Sequence, residues 1–460
     1  MTERITLPRL MVAAPASGSG KTTLTCALLR EAQRRGLDPC AFKCGPDYID
    51  PMFHRQVLGL PSRNLDLFFS SPEQVRSQMA VGGRGHSLGV IEGVMGLYDG
   101  VGATHRASSW HLAQVTDTPV VLVVEPKGAA LTLAAQLKGL MDFRSPGMIK
   151  AVVLNGCSAH TTGFYASMIQ EETGLPVVGC LPRLENCTLS SRHLGLLLPE
   201  EITGLEEKID RLADQLEETV DVPRLLALAS TAPDWTAELS PPVSSAEDAP
   251  VVAVARDEAF CFYYQANLEA LEQQGMRLTA FSPLRDSCLP PEACGLYLGG
   301  GYPELHAAAL SGNQPMLDSL RQAIQGGLPT LAECGGFLYL QQSLEDAQGR
   351  SWPMAGVLDG EGIQTSGLRR FGYITLTMGE DTPYLKAGEQ AAAHEFHRWD
   401  STCCGSAACA VRPGNGKAWN CMTWKGNLLA GFPHLYYPSQ PNLVRRFARA
   451  CTQYKENRRQ

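Results

Sequence analysis

Two short stretches of this chain carry residue types whose spacing can do chemistry. In Leu328-Pro-Thr-Leu-Ala-Glu-Cys-Gly-Gly-Phe-Leu-Tyr-Leu-Gln341 an apolar run ends at Cys334, and a helical pattern begins at once. A thiol on such a strand-to-helix turn is presented at a sheet edge, and a helix N-terminus favours its thiolate. A thiolate nucleophile wants a base. His434, in Leu428-Leu-Ala-Gly-Phe-Pro-His434, also follows an apolar run, and Cys with His from two strand ends makes a nucleophilic pair. The backbone at Gly300 and Gly301, after a further apolar run, and the N–H of Gly335 can supply an oxyanion hole.

The second stretch is Ala14-Pro-Ala-Ser-Gly-Ser-Gly-Lys-Thr-Thr23, between an apolar run and a helical pattern. Ser17, Gly18, Ser19 and Gly20 form a loop whose backbone N–H groups can cradle phosphate at a helix start. Lys21 can reach the outer phosphates, the Thr22 hydroxyl can ligate Mg²⁺, and Thr23 continues the helix start. The strict G-x-x-x-x-G-K-[ST] pattern has Pro15 in its first position; counted one residue longer, Ala14 stands there.

A phosphate loop needs hard oxygen ligands for its metal. Leu88-Gly-Val-Ile-Glu-Gly-Val-Met-Gly-Leu-Tyr-Asp-Gly100 delivers Glu92 at a strand end and Asp99 in the glycine-rich loop beyond it. Phe42-Lys-Cys-Gly-Pro-Asp-Tyr-Ile-Asp50 brings Lys43 and Asp47 to the same sheet edge. Asp47 and Glu92 are read as metal ligands with Thr22, and Lys43 as part of the nucleotide site. Asp50, just before Pro51 and a helical pattern, reads as a helix cap.

The elements that must position these residues follow an α/β plan. Continuous apolar runs at Leu10–Ala14, Ala41–Lys43, Leu88–Glu92, Val120–Glu125, Ala151–Asn155 and Val177–Cys180 read as buried parallel strands. Helices are expected at Lys21–Arg35, Ala129–Phe143 and Thr162–Thr173 between them. A Pro/Ser-rich stretch over 231–250 reads as a linker between domains at 1–230 and 251–460. The pattern restarts beyond it, with strands at Val251–Ala255, Leu278–Phe281, Gly295–Leu298 and Pro329–Ala332 and a helix at Phe262–Gln274.

Composition excludes several classes. The 460 residues carry 39 basic and 47 acidic side chains, a net charge of −8, against a dedicated nucleic-acid binder. No run is long enough to span a membrane. Fifteen cysteines, an odd number without a C-x-x-C pair, argue against a disulfide framework or a structural zinc. The expected setting is a reducing one, the cytoplasm. Cys44, inside the 42–50 stretch, is a second candidate thiol, while His394-Glu-Phe-His397 lacks H-E-x-x-H spacing. The C-terminal stripe Leu443, Phe447, Cys451 and Tyr454 reads as a packed helix in preference to a membrane anchor.

Together the motifs resemble the cobyrinate/hydrogenobyrinate a,c-diamide synthase family. Gly45-Pro-Asp-Tyr-Ile-Asp50 and Glu92-Gly-Val-Met-Gly-Leu-Tyr-Asp99 are the most diagnostic, with Ser17–Thr23, Val252–Phe260, Gly299–Glu304 and Ala332–Gly336 in support. The resemblance implies a dethiobiotin-synthetase-like P-loop domain followed by a class I glutamine amidotransferase-like domain. It also implies ATP with Mg²⁺, glutamine as ammonia donor, and cobyrinic or hydrogenobyrinic acid as acceptor; a homodimer is compatible with it. Carried over, Cys334 is the nucleophile and His434 its base, Asp47 and Asp99 serve the activated carboxylate, and Tyr48 and Ile49 touch the corrinoid. Class I enzymes usually carry a carboxylate two residues after the histidine; here Tyr436 stands there, so a dyad is implied. The neighbouring readings are cobyric acid synthase and nickel-sirohydrochlorin a,c-diamide synthase. A different class, the deviant-P-loop partitioning ATPases, expects a lysine where this loop has Ala16.

Overall fold

The computed structural model describes residues 2–185, 187, 191–192, 195–239 and 248–459. The chain divides into two compact units, Met1–Pro241 and Pro242–Gln460. Residues 240–247 of the expected linker lie outside the described residues.

The first unit is built on a seven-stranded, all-parallel sheet. Its strands in spatial order are Arg63–Leu65, Pro39–Cys44, Leu88–Glu92, Arg9–Ala13, Val120–Val124, Ile149–Asn155 and Val177–Leu181. The four central strands are buried along their whole length, which is why each reads as an unbroken apolar run. From Arg9–Ala13 the chain crosses through helix Lys21–Arg34 to Pro39–Cys44, leaving the place between for Leu88–Glu92. The order reverses beside Arg9–Ala13, and such a switch opens a ligand crevice at the carboxyl ends of the strands. An antiparallel pair, Thr2–Ile5 with Trp235–Glu238, returns the end of the unit to its start. Buried Arg9 donates to the Thr116 and Pro233 carbonyls there and lies over the Trp235 ring.

The second unit has a six-stranded sheet in the order Arg277–Phe281, Val251–Ala255, Ala293–Leu298, Thr330–Glu333, Leu428–Gly431 and Thr423–Lys425. Only the last is antiparallel. Alternate residues pack opposite faces: Ala253, Leu298, Ala332 and Cys334 join one core, Val252, Val254, Tyr297 and Leu331 the other. Helix Pro441–Arg459 buries Leu443, Phe447 and Cys451 in the second core, so its apolar stripe is packed against the domain.

Strands within 343–421, together with His434–Leu435, form two sheets absent from the sequence reading. One is antiparallel: Ala418–Cys421, Ala408–Val411, Arg370–Met378, Gln390–His397 and His434–Leu435. The other is four-stranded, Ser351–Pro353, Ser343–Glu345, Glu361–Gln364 and Trp399–Ser401. Gln390–His397 hides its alternation because Glu395, an inward residue, is charged and fully buried. Among the described residues no helix is long and apolar enough to cross a membrane.

Candidate active sites

In the first unit the loop 14–20 leaves strand Arg9–Ala13 and enters helix Lys21–Arg34 through Gly20, whose φ of +96° suits glycine. A Cβ on Gly20 would stand 2.3 Å from the Asn155 amide nitrogen, which donates to the Ser19 carbonyl at 2.9 Å. Lys21 Nζ donates to the carbonyls of Ala16 at 3.2 Å and Met95 at 2.8 Å, tying the loop to the segment that follows Glu92. Burial and nearby Lys43, only partly offset by Glu92, Asp50 and Asp99, bring the Lys21 ammonium down to about 8. A lysine held this way gains by meeting an anion. Asp99 accepts from the Gly96 N–H at 3.0 Å and shapes the same segment.

Thr22 Oγ1 donates to Glu92 Oε1 at 2.7 Å and lies 3.4 Å from Asp50 Oδ1. Lys43 Nζ faces Asp50 Oδ2 at 2.5 Å, Glu92 Oε1 at 3.2 Å and the Gly93 carbonyl at 2.9 Å. An ammonium has three donors, so in this arrangement buried Lys43 keeps none for phosphate, unlike the nucleotide contact expected of it. Its own basicity is raised: burial opposes the charge, but Asp50, Glu92 and Asp47 more than restore it.

Behind Glu92 lies buried His54, which the sequence reading missed. Its Nε2 lies 2.7 Å from Glu92 Oε2 and its Nδ1 3.0 Å from Ser62 Oγ, while the Ser62 hydroxyl donates to the Ala41 carbonyl. Burial alone would push the Glu92 carboxyl up, yet Lys43, His54 and Thr22 together hold it below the usual range. For Asp50, burial, Asp47 and Glu92 win over Lys43, and its carboxyl is raised.

Asp47 and Asp50 stand differently from the cap expected of Asp50. Asp47 Oδ1 accepts the N–H groups of Ile49 at 2.7 Å and Asp50 at 3.1 Å, capping helix Ile49–Leu58. Asp50, expected to cap, instead faces Thr22 and Lys43. A cap needs an oxygen two or three residues ahead of the N–H it serves, and Asp47 has that spacing. Ile49 is buried and Tyr48 half-buried, so of the expected substrate pair only Tyr48 is open. Cys44 is buried in its strand, and burial with Asp66 nearby pushes its thiol up to about 12, against the ligand-facing place expected.

A metal fits here. No group of three His, Cys, Asp or Glu side chains is gathered to hold one among the described residues, but Mg²⁺ uses one or two carboxylates with substrate phosphate and water. Thr22, Asp50 and Glu92 converge as that kind of all-oxygen set.

In the second unit Cys334 sits between strand Thr330–Glu333 and helix Gly335–Tyr339 at φ 48° and ψ −102°. For a residue with a Cβ that backbone costs about 1–3 kcal/mol, the signature of a presented side chain. The Cys334 N–H donates to the Gly431 carbonyl at 2.8 Å and the Gly336 N–H to the Gly299 carbonyl at 2.9 Å. A Cβ on Gly335 would stand 3.1 Å from the Gly301 nitrogen, and one on Gly300 2.4 Å from His434 Cε1. Gly299–Gly301 thus touches both the cysteine turn and the histidine ring.

The resting thiol differs from expectation. Burial, then Glu304 and Glu395, raise the Cys334 thiol far above its ordinary value. The helix after it has only five residues, too short a dipole to offset burial. Burial lowers His434 to about 3, with His394 and His397 adding to it. Burial thus favours the uncharged form of both side chains, and an uncharged imidazole is the form that can take a proton. His397 stacks on Phe432 with ring centroids 3.9 Å apart and reaches Glu395 at 2.8 Å, a pairing that the sequence spacing did not reveal. None of the fifteen cysteines is in a disulfide.

The fold and these two sites define a chain of two parts: a P-loop nucleotide-binding domain followed by a glutamine amidotransferase domain. The family model of the CobQ/CobB/MinD/ParA nucleotide binding domain matches residues 10–197. That of the CobB/CobQ-like glutamine amidotransferase domain matches residues 251–441. A cobyrinate a,c-diamide synthase of Caldanaerobacter subterraneus is 37% identical over 448 residues, 96% of this chain and 98% of the relative. Enzymes of the same name from Clostridium acetobutylicum and Gloeobacter violaceus are each 38% identical, over 93% and 96% of this chain and 97% and 96% of their own. The chain belongs to the cobyrinate a,c-diamide synthase family. It is an ATP-dependent, glutamine-using ligase that forms amide bonds.

Proposed function

We propose that this chain amidates the a and c carboxylates of cobyrinic acid, or of its cobalt-free counterpart hydrogenobyrinic acid, in cobalamin biosynthesis. The observation that carries the reading is the pairing, on one chain, of a P-loop whose Thr22 faces buried Glu92 with a strained cysteine turn and a glycine-packed histidine both bordering Gly299–Gly301.

In the second unit, His434 takes the Cys334 proton as sulfur attacks the glutamine side-chain carbonyl. The backbone N–H groups around Gly300, Gly301 and Gly335 receive the oxyanion. The C–N bond breaks, ammonia leaves with the proton, and water then hydrolyses the thioester to glutamate. In the first unit, Ser17–Thr23 cradle ATP, and Lys21 leaves the Ala16 and Met95 carbonyls for the γ-phosphate. A substrate carboxylate oxygen attacks that phosphorus and ADP departs. Ammonia then attacks the acyl carbon and phosphate leaves, giving the amide. Thr22, Asp50 and Glu92 would hold Mg²⁺, which supplies charge neutralisation at the phosphates. His54 and Lys43 keep Glu92 ionised and aimed, and half-buried Tyr48 borders the acceptor. An acyl phosphate hydrolyses in water, so ammonia has to reach it first.

The test is the mass of each acid after incubation with the chain, ATP, Mg²⁺ and glutamine. Two amidations on one acid and none on the other identify the acceptor; no amidation of either overturns the proposal.

A further inference from the structure

His434 lies on a strand of two residues, His434–Leu435, which pairs with His394 and Ala393. The residue two positions on, where a carboxylate would face the ring, is Tyr436. Its N–H is taken by the Ala392 carbonyl at 3.1 Å.

The backbone around His434 is held from a second direction. Glu333 Oε1 accepts the Leu435 N–H at 3.2 Å, and the Tyr297 hydroxyl donates to Glu333 Oε2 at 3.0 Å. The Asn267 amide donates to the Leu435 carbonyl at 2.8 Å, and its oxygen accepts the Tyr437 N–H at 2.8 Å. Glu333 and Asn267 are both buried, so each bond is shielded from water. By strand alternation Glu333 shares the face of Leu331 and Tyr297, opposite Ala332 and Cys334. It therefore cannot serve as the base itself, yet it directly precedes the nucleophile.

We propose that Glu333 and Asn267 are positioning residues that fix the His434 base through its backbone, locking the histidine strand to the strand that carries Cys334. This rests on the reading of Cys334 and His434 as the glutaminase pair. Burial pushes the Glu333 carboxyl up to about 8, against the Tyr297, Leu435 and Tyr437 donors, which favour its charged form.

The experiment compares Glu333→Ala, Glu333→Gln and Asn267→Ala by glutaminase kcat and KM without corrinoid, so that failure of the corrinoid reading leaves it standing. Loosening the ring by about 1 Å costs about 100-fold in kcat, with glutamine KM held within about threefold; that loss is expected of Glu333→Ala. Glu333→Gln, whose amide oxygen can still accept the Leu435 N–H, should stay within about fivefold of the native kcat. Native kcat in Glu333→Ala, or equal losses in the Ala and Gln variants, overturns the proposal. If Glu333→Ala fails to fold, Asn267→Ala decides: a kcat loss with unchanged KM supports the proposal and a native kcat overturns it.

Discussion

Gly300 stands against the His434 imidazole so closely that a Cβ on it would lie 2.4 Å from Cε1. No side chain can be added there without moving the ring. Gly300→Ala should therefore lower glutamine-dependent amidation by about 100-fold, the scale of a 1 Å misplacement, while ammonium-supported amidation persists. Equal glutamine rates in variant and native protein would show that the ring has room to shift.

Cys334→Ala removes the sulfur and also relieves the strained backbone only in part, since alanine keeps a Cβ. Glutaminase activity should be lost, and amidation with high ammonium should stay within about threefold of native. Loss of both activities would contradict two separable sites.

Lys21→Ala removes the loop ammonium that now rests on the Ala16 and Met95 carbonyls. Amidation should fall by about two to three orders of magnitude with either nitrogen source, as for loss of one charge-stabilising donor. Glutaminase without ATP should be unchanged. A defect confined to glutamine-supported amidation would place Lys21 outside the phosphate step.

Asp47 and Asp50 should separate by readout. Asp47→Ala loses a cap and about 1 kcal/mol of stability, visible as a lower urea midpoint at an unchanged m-value. Asp50→Asn leaves the cap intact and should raise the Mg²⁺ concentration needed for half-maximal amidation. Interchanged phenotypes would restore the capping role to Asp50.

Glu333 sets a pH dependence of stability. Its folded carboxyl holds a proton up to about 8, against 4.5 for an ordinary glutamate, so between these values the folded state binds the extra proton. Stability from this group is intact below pH 4.5 and declines as pH rises to 8. Glu333→Gln removes that slope, so its stability relative to native should rise between pH 5 and pH 8 in urea unfolding. A constant difference across that range would mean that Glu333 is not perturbed.

Much of the site was legible in the chain because its signals are local. Strand, glycine loop, Lys21 and helix are consecutive, and backbone N–H groups at a helix start need no distant partner to bind phosphate. Cys334 declared itself in the same way, through an apolar run breaking at a turn. Central strands of the first unit were readable because burial on both faces leaves an unbroken apolar run. The two sheets built from 343–421 and 434–435 were not, since short strands with inward Glu395 and His397 lose the alternation that marks a strand.

By itself, then, the sequence determined the two loops, the order of the α/β elements and the residue types at each reactive position. Only the tertiary structure decided which carboxylate caps and which faces Thr22, that His54 stands behind Glu92, and that Glu333 and Asn267 grip the strand of His434. It also decided that burial pushes the Cys334 thiol up, against the local rule for helix starts. The reason is physical: hydrogen bonds between residues such as Glu92 and His54, or Glu333 and Leu435, and the desolvation that shifts a buried pKa, depend on groups far apart along the chain.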